Sequence, residues 1–85
     1  MKEDALERSR RYVEITSASL SRLKLRKPLV SVHEHQVDYV LDMVRGYVKD
    51  AKHYAQNRKP VTSLACISYA EGLLDALKYL EIADF

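Results

Sequence analysis

Between Val37 and Ala55 the apolar residues Val37, Leu41, Val44, Val48, Ala51 and Ala55 recur at alternating spacings of four and three. Six side chains on that interval can share one face only of an α-helix, because at 100° per residue the fourth and third positions return to the same side. Val40, Tyr47 and Tyr54 widen one edge of the stripe. Upstream, Ser31-Val32-His33-Glu34 fits a capping box, in which the Ser oxygen and the Glu carboxylate each take up an orphan backbone N–H. The spacing therefore predicts a helix over 32–57, and whatever else the chain forms must cover its apolar side.

Two Pro-marked breaks bound that helix. Arg26-Lys27-Pro28 precedes it, and Pro disfavours helical backbone at the residue before it. Asn57-Arg58-Lys59-Pro60 follows it, with Pro60 placed to open the next helix, where its missing N–H costs nothing. Before the first break, Leu6, Val13 and Leu20 repeat at heptad spacing with Ser9, Thr16 and Leu23 between them, so a first helix is expected over 3–25. Its face is diluted by small hydroxyl residues that permit close approach. After the second break, Cys66, Ala70, Leu73, Leu77 and Leu80 form the expected core stripe of a helix over 60–82. Tyr69 and Ala76 flank it on one side, Ile67 and Leu74 on the other. That arc is wider than the ~100° a surface helix needs, so this helix is expected to touch both others and something besides. Short connections make consecutive helices antiparallel neighbours, and the economical architecture is an all-α, up-down-up three-helix bundle. With 85 residues the whole of 1–85 is expected to be one domain with a marginal core.

Charge is distributed unevenly. Residues 1–28 carry eight Lys or Arg against four Asp or Glu and residues 29–85 six against eight, which together give the net charge of +2. Arg8, Arg11, Arg22 and Arg26 lie opposite the Leu6-Val13-Leu20 face, with Ile15 among them. Asp4 and Glu7 stand at the favourable i,i+4 spacing from Arg8 and Arg11. Arg22, Lys24, Arg26 and Lys27 have no such partners and form a candidate anion or nucleic-acid patch. The plainer reading is that cations suit the C-terminal end of a helix and remain solvated. No aromatic residues interleave with them to stack on bases.

A second candidate surface is apolar. Tyr39, Met43 and Gly46 share the side of the second helix turned away from its core stripe, and Ile67 and Leu74 extend the wide face of the third. Leu64 and Ile82 are expected near that helix's polar side. A homodimer or another protein partner would cover such a face. His33 and His35 flank Glu34 and, two positions apart, are expected on different sides of a helix, without the i,i+4 spacing of helical metal pairs. The lone Cys66 excludes an internal disulfide and suits a reducing cytoplasm. The opening residues are too polar for a signal peptide, and no apolar run approaches membrane-spanning length. Two glycines leave no room for a phosphate-cradling Gly-rich loop, and neither a nucleophile elbow nor a zinc pattern occurs. No catalytic residue, metal or cofactor is expected. Only Glu71 and Asp75, one turn apart beside Ser68, offer paired carboxylates, and Lys78 three residues beyond Asp75 fits an ordinary solvated face.

The run Ser63-Leu64-Ala65-Cys66-Ile67-Ser68-Tyr69-Ala70-Glu71-Gly72-Leu73-Leu74-Asp75-Ala76 resembles the C-terminal signature of a short archaeal family, domain of unknown function 357. Ser68, Tyr69, Ala70, Glu71, Gly72, Leu74 and Asp75 carry its distinctive block. Tyr47-Val48-Lys49-Asp50-Ala51-Lys52-His53-Tyr54 is similar to the family's other recurrent stretch, and Arg11-Tyr12-Val13-Glu14-Ile15-Thr16 resembles its opening more loosely. The linker Asn57-Arg58-Lys59-Pro60 departs from the family's Gly or Asp turn. The resemblance implies an archaeal source and a compact three-helix bundle with a left-handed twist, and it implies no activity.

Overall fold

A computed structural model describes residues 4–26 and 32–85. Three helices, α1 (Ala5–Arg22), α2 (Glu34–Gln56) and α3 (Pro60–Tyr79), form an all-α bundle, with two-residue strands β1 (Lys24–Leu25) and β2 (Ala83–Asp84) beside it. All three helix pairs pack against one another, so no helix lies outside the bundle.

Each helix starts and stops for a local reason. The Asp4 carboxylate accepts from the backbone N–H of Leu6 at 2.9 Å and of Glu7 at 3.3 Å, capping α1. At the start of α2 the N-cap is His33, whose backbone N–H donates to Gln36 Oε1 at 3.0 Å. The expected Ser31/Glu34 box is thus replaced by a contact two residues later, and Ser31 itself lies outside the described residues. Helix α1 ends at Arg22, several residues short of the expected stop near Leu25, because Leu23 turns to extended backbone.

Helices α2 and α3 share one way of stopping. Arg58 and Glu81 adopt left-handed backbone, with φ of 59° and 58°. The following N–H groups reach back to the last turns, Lys59 to Tyr54 O at 2.9 Å and Ile82 to Leu77 O at 2.9 Å. This is the Schellman arrangement, which satisfies carbonyls that a helix end leaves open. After α3 it has a packing consequence. The chain folds under the bundle, and Ile82, expected near a polar side, becomes core at 2% exposure beside Leu77. Leu80, expected in the core, is left exposed.

The strand pair was not visible in the hydrophobic pattern. Lys24 pairs with Asp84 and Leu25 with Ala83 in antiparallel register, and the Arg26 N–H donates to Ile82 O at 2.6 Å. It fastens the exit of α1 to the end of α3.

The core is built on α2, where Val37, Leu41, Val44, Val48, Ala51 and Ala55 are all buried, as their spacing requires. Helix α3 contributes Ser63, Ile67, Ala70, Leu74 and Leu77, and the fully buried Ala51 and Ala70 leave room for close approach. Cys66 and Leu73, expected at the stripe's centre, are only half-buried. On α1 the buried residues are Ser9, Val13, Thr16 and Ser19, while Leu6 and Leu20 stay half-buried at the edges. A polar tie explains why hydroxyls occupy that centre. Ser63 Oγ donates to Ala51 O at 2.6 Å and meets Ser9 Oγ, joining all three helices through one buried side chain. Since the Ser63 proton is committed to Ala51, Ser9 is the donor to Ser63.

Candidate interaction surfaces

The distinctive block of α3 faces three ways, because consecutive helical residues step 100° around the axis. Ala70 and Leu74 point into the core and are buried. Glu71 is half-buried where α3 meets α1 and, with Asp75, lines a groove there. Tyr69 and Gly72 face outward with Ser68, whose hydroxyl donates to Leu64 O at 2.8 Å within its own helix.

The outward side of α3 is apolar along its length. Val61, Ala65, Tyr69, Gly72, Ala76 and Leu80 are all exposed and recur at spacings of four and three, so they form a second helical stripe that meets solvent. Tyr69 is 65% exposed, yet its ring stacks on Tyr47 of α2 with centroids 5.4 Å apart and planes 18° from parallel. Beyond Tyr47, the α2 surface presents Tyr39 and Gly46, both exposed, and the half-buried Met43. Of the residues expected on a partner surface, one group lies at the molecular surface and the other does not. Tyr39, Met43 and Gly46 do face away from the core. Ile67 at 0% and Leu74 at 2% exposure are core residues and can touch no partner. The reason is that α3 is apolar on nearly every side, so its spacing does not fix which residues turn inward. Two helices packed against it do.

Cys66 sits half-buried. Burial, and then the nearby Asp50 carboxylate, push its thiol pKa above the ordinary value, which disfavours the reactive thiolate.

Of the expected basic patch, Arg22, Lys24 and Arg26 are all exposed. Arg26 is ion-paired with the Asp84 carboxylate through the strand pair, contrary to its reading as unpartnered. Arg22 donates to Ser19 Oγ at 3.4 Å, Lys24 lies exposed in β1, and Lys27 lies outside the described residues. Helix α1 ends at Arg22, so Lys24 and Arg26 do not continue its face. Higher on α1, the Asp4 carboxylate serves the helix cap, and Arg8 donates to Tyr12 Oη at 3.1 Å.

In the α1–α3 groove, Glu71 and Asp75 do not act as a matched pair. Desolvation, and then the Asp75 charge, raise the Glu71 pKa; Arg8 and the Thr16 hydroxyl pull it the other way. Thr16 Oγ1 is buried and, although close enough to favour the Glu71 carboxylate, makes no bond of normal length. Lys78 Nζ lies 4.8 Å from the centroid of the Phe85 ring at the groove's end. No group of three or more His, Cys, Asp or Glu among the described residues could hold a metal ion. His33 and His35, expected on different sides of a helix, instead stack at 5.4 Å, because His33 is in extended backbone ahead of the first turn. No described helix is long and apolar enough to cross a membrane.

Residues 11–83 match the model of a family described as Protein of unknown function (DUF357), and the chain belongs to that family. Comparison with curated proteins and with solved structures returns no match.

Proposed function

We propose, for a chain whose family description assigns no activity, a non-catalytic helical module that works through protein contacts, with a second copy of itself as the first partner. The observation that carries this reading is the exposed stripe Val61-Ala65-Tyr69-Gly72-Ala76-Leu80. Scattered apolar surface residues are ordinary, but a continuous stripe at helical spacing has the form of a helix-docking face. Its small residues let another backbone approach closely, and Tyr69 offers a large, rigid contact at low entropic cost. A stripe repeated along one helix also suits two-fold pairing, in which the same patch serves both copies. A cytoplasmic setting in an archaeal cell fits the lone, unactivated Cys66 and the family resemblance.

Light scattering across a concentration series tests this. The expected result is a mass rising towards twice the monomer, reversed by Ala76→Lys, which adds a charge to an exposed position and leaves the fold intact. A strictly monomeric mass at the highest concentration would sink the self-association reading. Unchanged association in Ala76→Lys would move it off this face. A nucleic-acid role at the end of α1 is less well supported, because Asp84 already neutralises Arg26.

A further inference from the structure

Away from the apolar stripe, α1 and α2 flank an open recess of about 300 Å³ lined by Ser17, Leu20, Arg45, Val48, Lys49 and Lys52, with no residue of α3 among them. We propose that this recess binds a small phosphoryl-bearing molecule, the diphosphate group being the chemistry it fits best. The inference is independent of the protein-contact reading and uses none of its residues.

Arg45, Lys49 and Lys52 stand at i, i+4 and i+7, one face of α2 spanning roughly 10 Å along the axis. Arg45 lies at the middle of Glu34–Gln56 and Lys49 about two turns from its end, so the favourable interaction of cations with a helix C-terminus reaches Lys52 at most and does not account for the row. Like charges at that spacing repel, which a bound anion would relieve. No carboxylate lines the recess. Arg45 does hold Asp42 at 3.2 Å, but both side chains are largely exposed, at 61% and 77%, where such pairs are weak. Lys49 and Lys52 form no ion pair among the described residues.

The second observation is a buried donor. Ser17 Oγ is shielded from solvent and has no hydrogen-bond partner, although a helical Ser usually bonds the carbonyl a turn before it. A shielded hydroxyl without a partner costs free energy, and rotation about the Ser17 Cα–Cβ bond would turn it to an anion in the recess that Ser17 lines. Three cations match a group of more than one negative charge. A carboxylate supplies one, whereas a phosphate monoester supplies about two near neutral pH. Leu20 and Val48 give the recess apolar walls, and its volume is at the lower end for small-molecule sites.

Inorganic pyrophosphate titrated into the full-length chain at constant ionic strength, read by amide NMR shifts and calorimetry, tests the proposal. The expected result is saturable binding in the submillimolar range with shifts at Ser17, Lys49 and Lys52. Lys49→Gln should weaken it about tenfold and Ser17→Ala severalfold, while Lys78→Gln, in the other groove, leaves it unchanged. All three are partly or fully exposed positions, and an unchanged melting temperature verifies the fold of each. Absence of saturation at tens of millimolar would overturn the site. So would equal weakening by Lys78→Gln, which would mean diffuse attraction only, or equally tight binding of acetate. Binding of duplex DNA without binding of pyrophosphate would reassign the row to a nucleic-acid backbone and also overturn it.

Discussion

Ser63→Ala removes a side chain that serves two helices at once, and its cost can be worked from the hydrogen bonds. The hydroxyl donates to Ala51 O at 2.6 Å and accepts from Ser9 Oγ, and both Ser63 and Ser9 are 0% exposed. Losing the bond to Ala51 costs about 1 kcal/mol. Ser9 is then left buried without a partner, worth a further ~1–2 kcal/mol. Alanine's better helix propensity returns about 0.5 kcal/mol, so the net loss is about 2 kcal/mol. For a domain of this size that is a fall of roughly 10 °C in melting temperature. Ser9→Ala removes one bond and orphans nothing, since Ser63 still has Ala51, so its net cost is about 0.5 kcal/mol. In the double variant both bonds are gone but no hydroxyl is stranded, and about 1 kcal/mol is lost. The double variant is therefore more stable than Ser63→Ala alone. Urea and thermal denaturation followed by circular dichroism, at protein concentrations low enough to be monomeric, measure the whole cycle. If adding Ser9→Ala to Ser63→Ala lowers stability further, Ser9 finds another acceptor, and the account of a three-helix polar tie is wrong.

Three other expectations follow from the packing and the groove. Ile67→Ala should cost about 2–5 kcal/mol by denaturation, because Ile67 is fully buried, whereas Tyr69→Ala should cost only about 1 kcal/mol, the worth of its stack on Tyr47; the reverse order would restore Ile67 to the surface. Gly72→Ala should stabilise the monomer by about 1 kcal/mol, since an added Cβ meets nothing within 4 Å, and should weaken self-association measured in parallel, because it thickens the stripe. Glu71 titrates above its ordinary value of 4.5, so its contribution to stability is complete below that value and is lost as pH rises through the raised folded-state pKa. Glu71→Gln, uncharged throughout, should accordingly melt higher than the parent at neutral pH and converge with it in acid; a gap that widens in acid would reverse the sign.

The periodicity of α2 was sufficient to place its whole buried face, because strong apolar residues alternate there with charged ones. On α1 the same reasoning centred the face on Leu6, Val13 and Leu20. The structure centres it on Val13 and the hydroxyl residues Ser9, Thr16 and Ser19, with Ser9 turned in to meet Ser63 of α3. Nothing in the spacing of Ser9 or Thr16 reveals that partner 54 positions away in the chain. On α3 the wide apolar arc correctly signalled surface beyond the bundle's needs, but it could not say which edge was spare. The Tyr69 edge proved exposed and the Ile67-Leu74 edge buried. Arg26 looked unpaired because its partner, Asp84, comes from a strand pairing only two residues long, too short for any periodicity to register. The row Arg45-Lys49-Lys52 went unread in the sequence, because it gains meaning only where the packing of α1 brings Ser17 and Leu20 beside it.

The central claim is that the exposed stripe of α3 is a contact face for a second copy of the chain. Amide NMR spectra recorded over a wide range of protein concentration test it most directly. The account predicts concentration-dependent shifts confined to Ala65, Tyr69, Gly72, Ala76 and Leu80, to Tyr47 on which Tyr69 stacks, and to the outward-facing Tyr39, Met43 and Gly46 of α2. Spectra that do not change with concentration, or shifts gathered instead on α1, would contradict it.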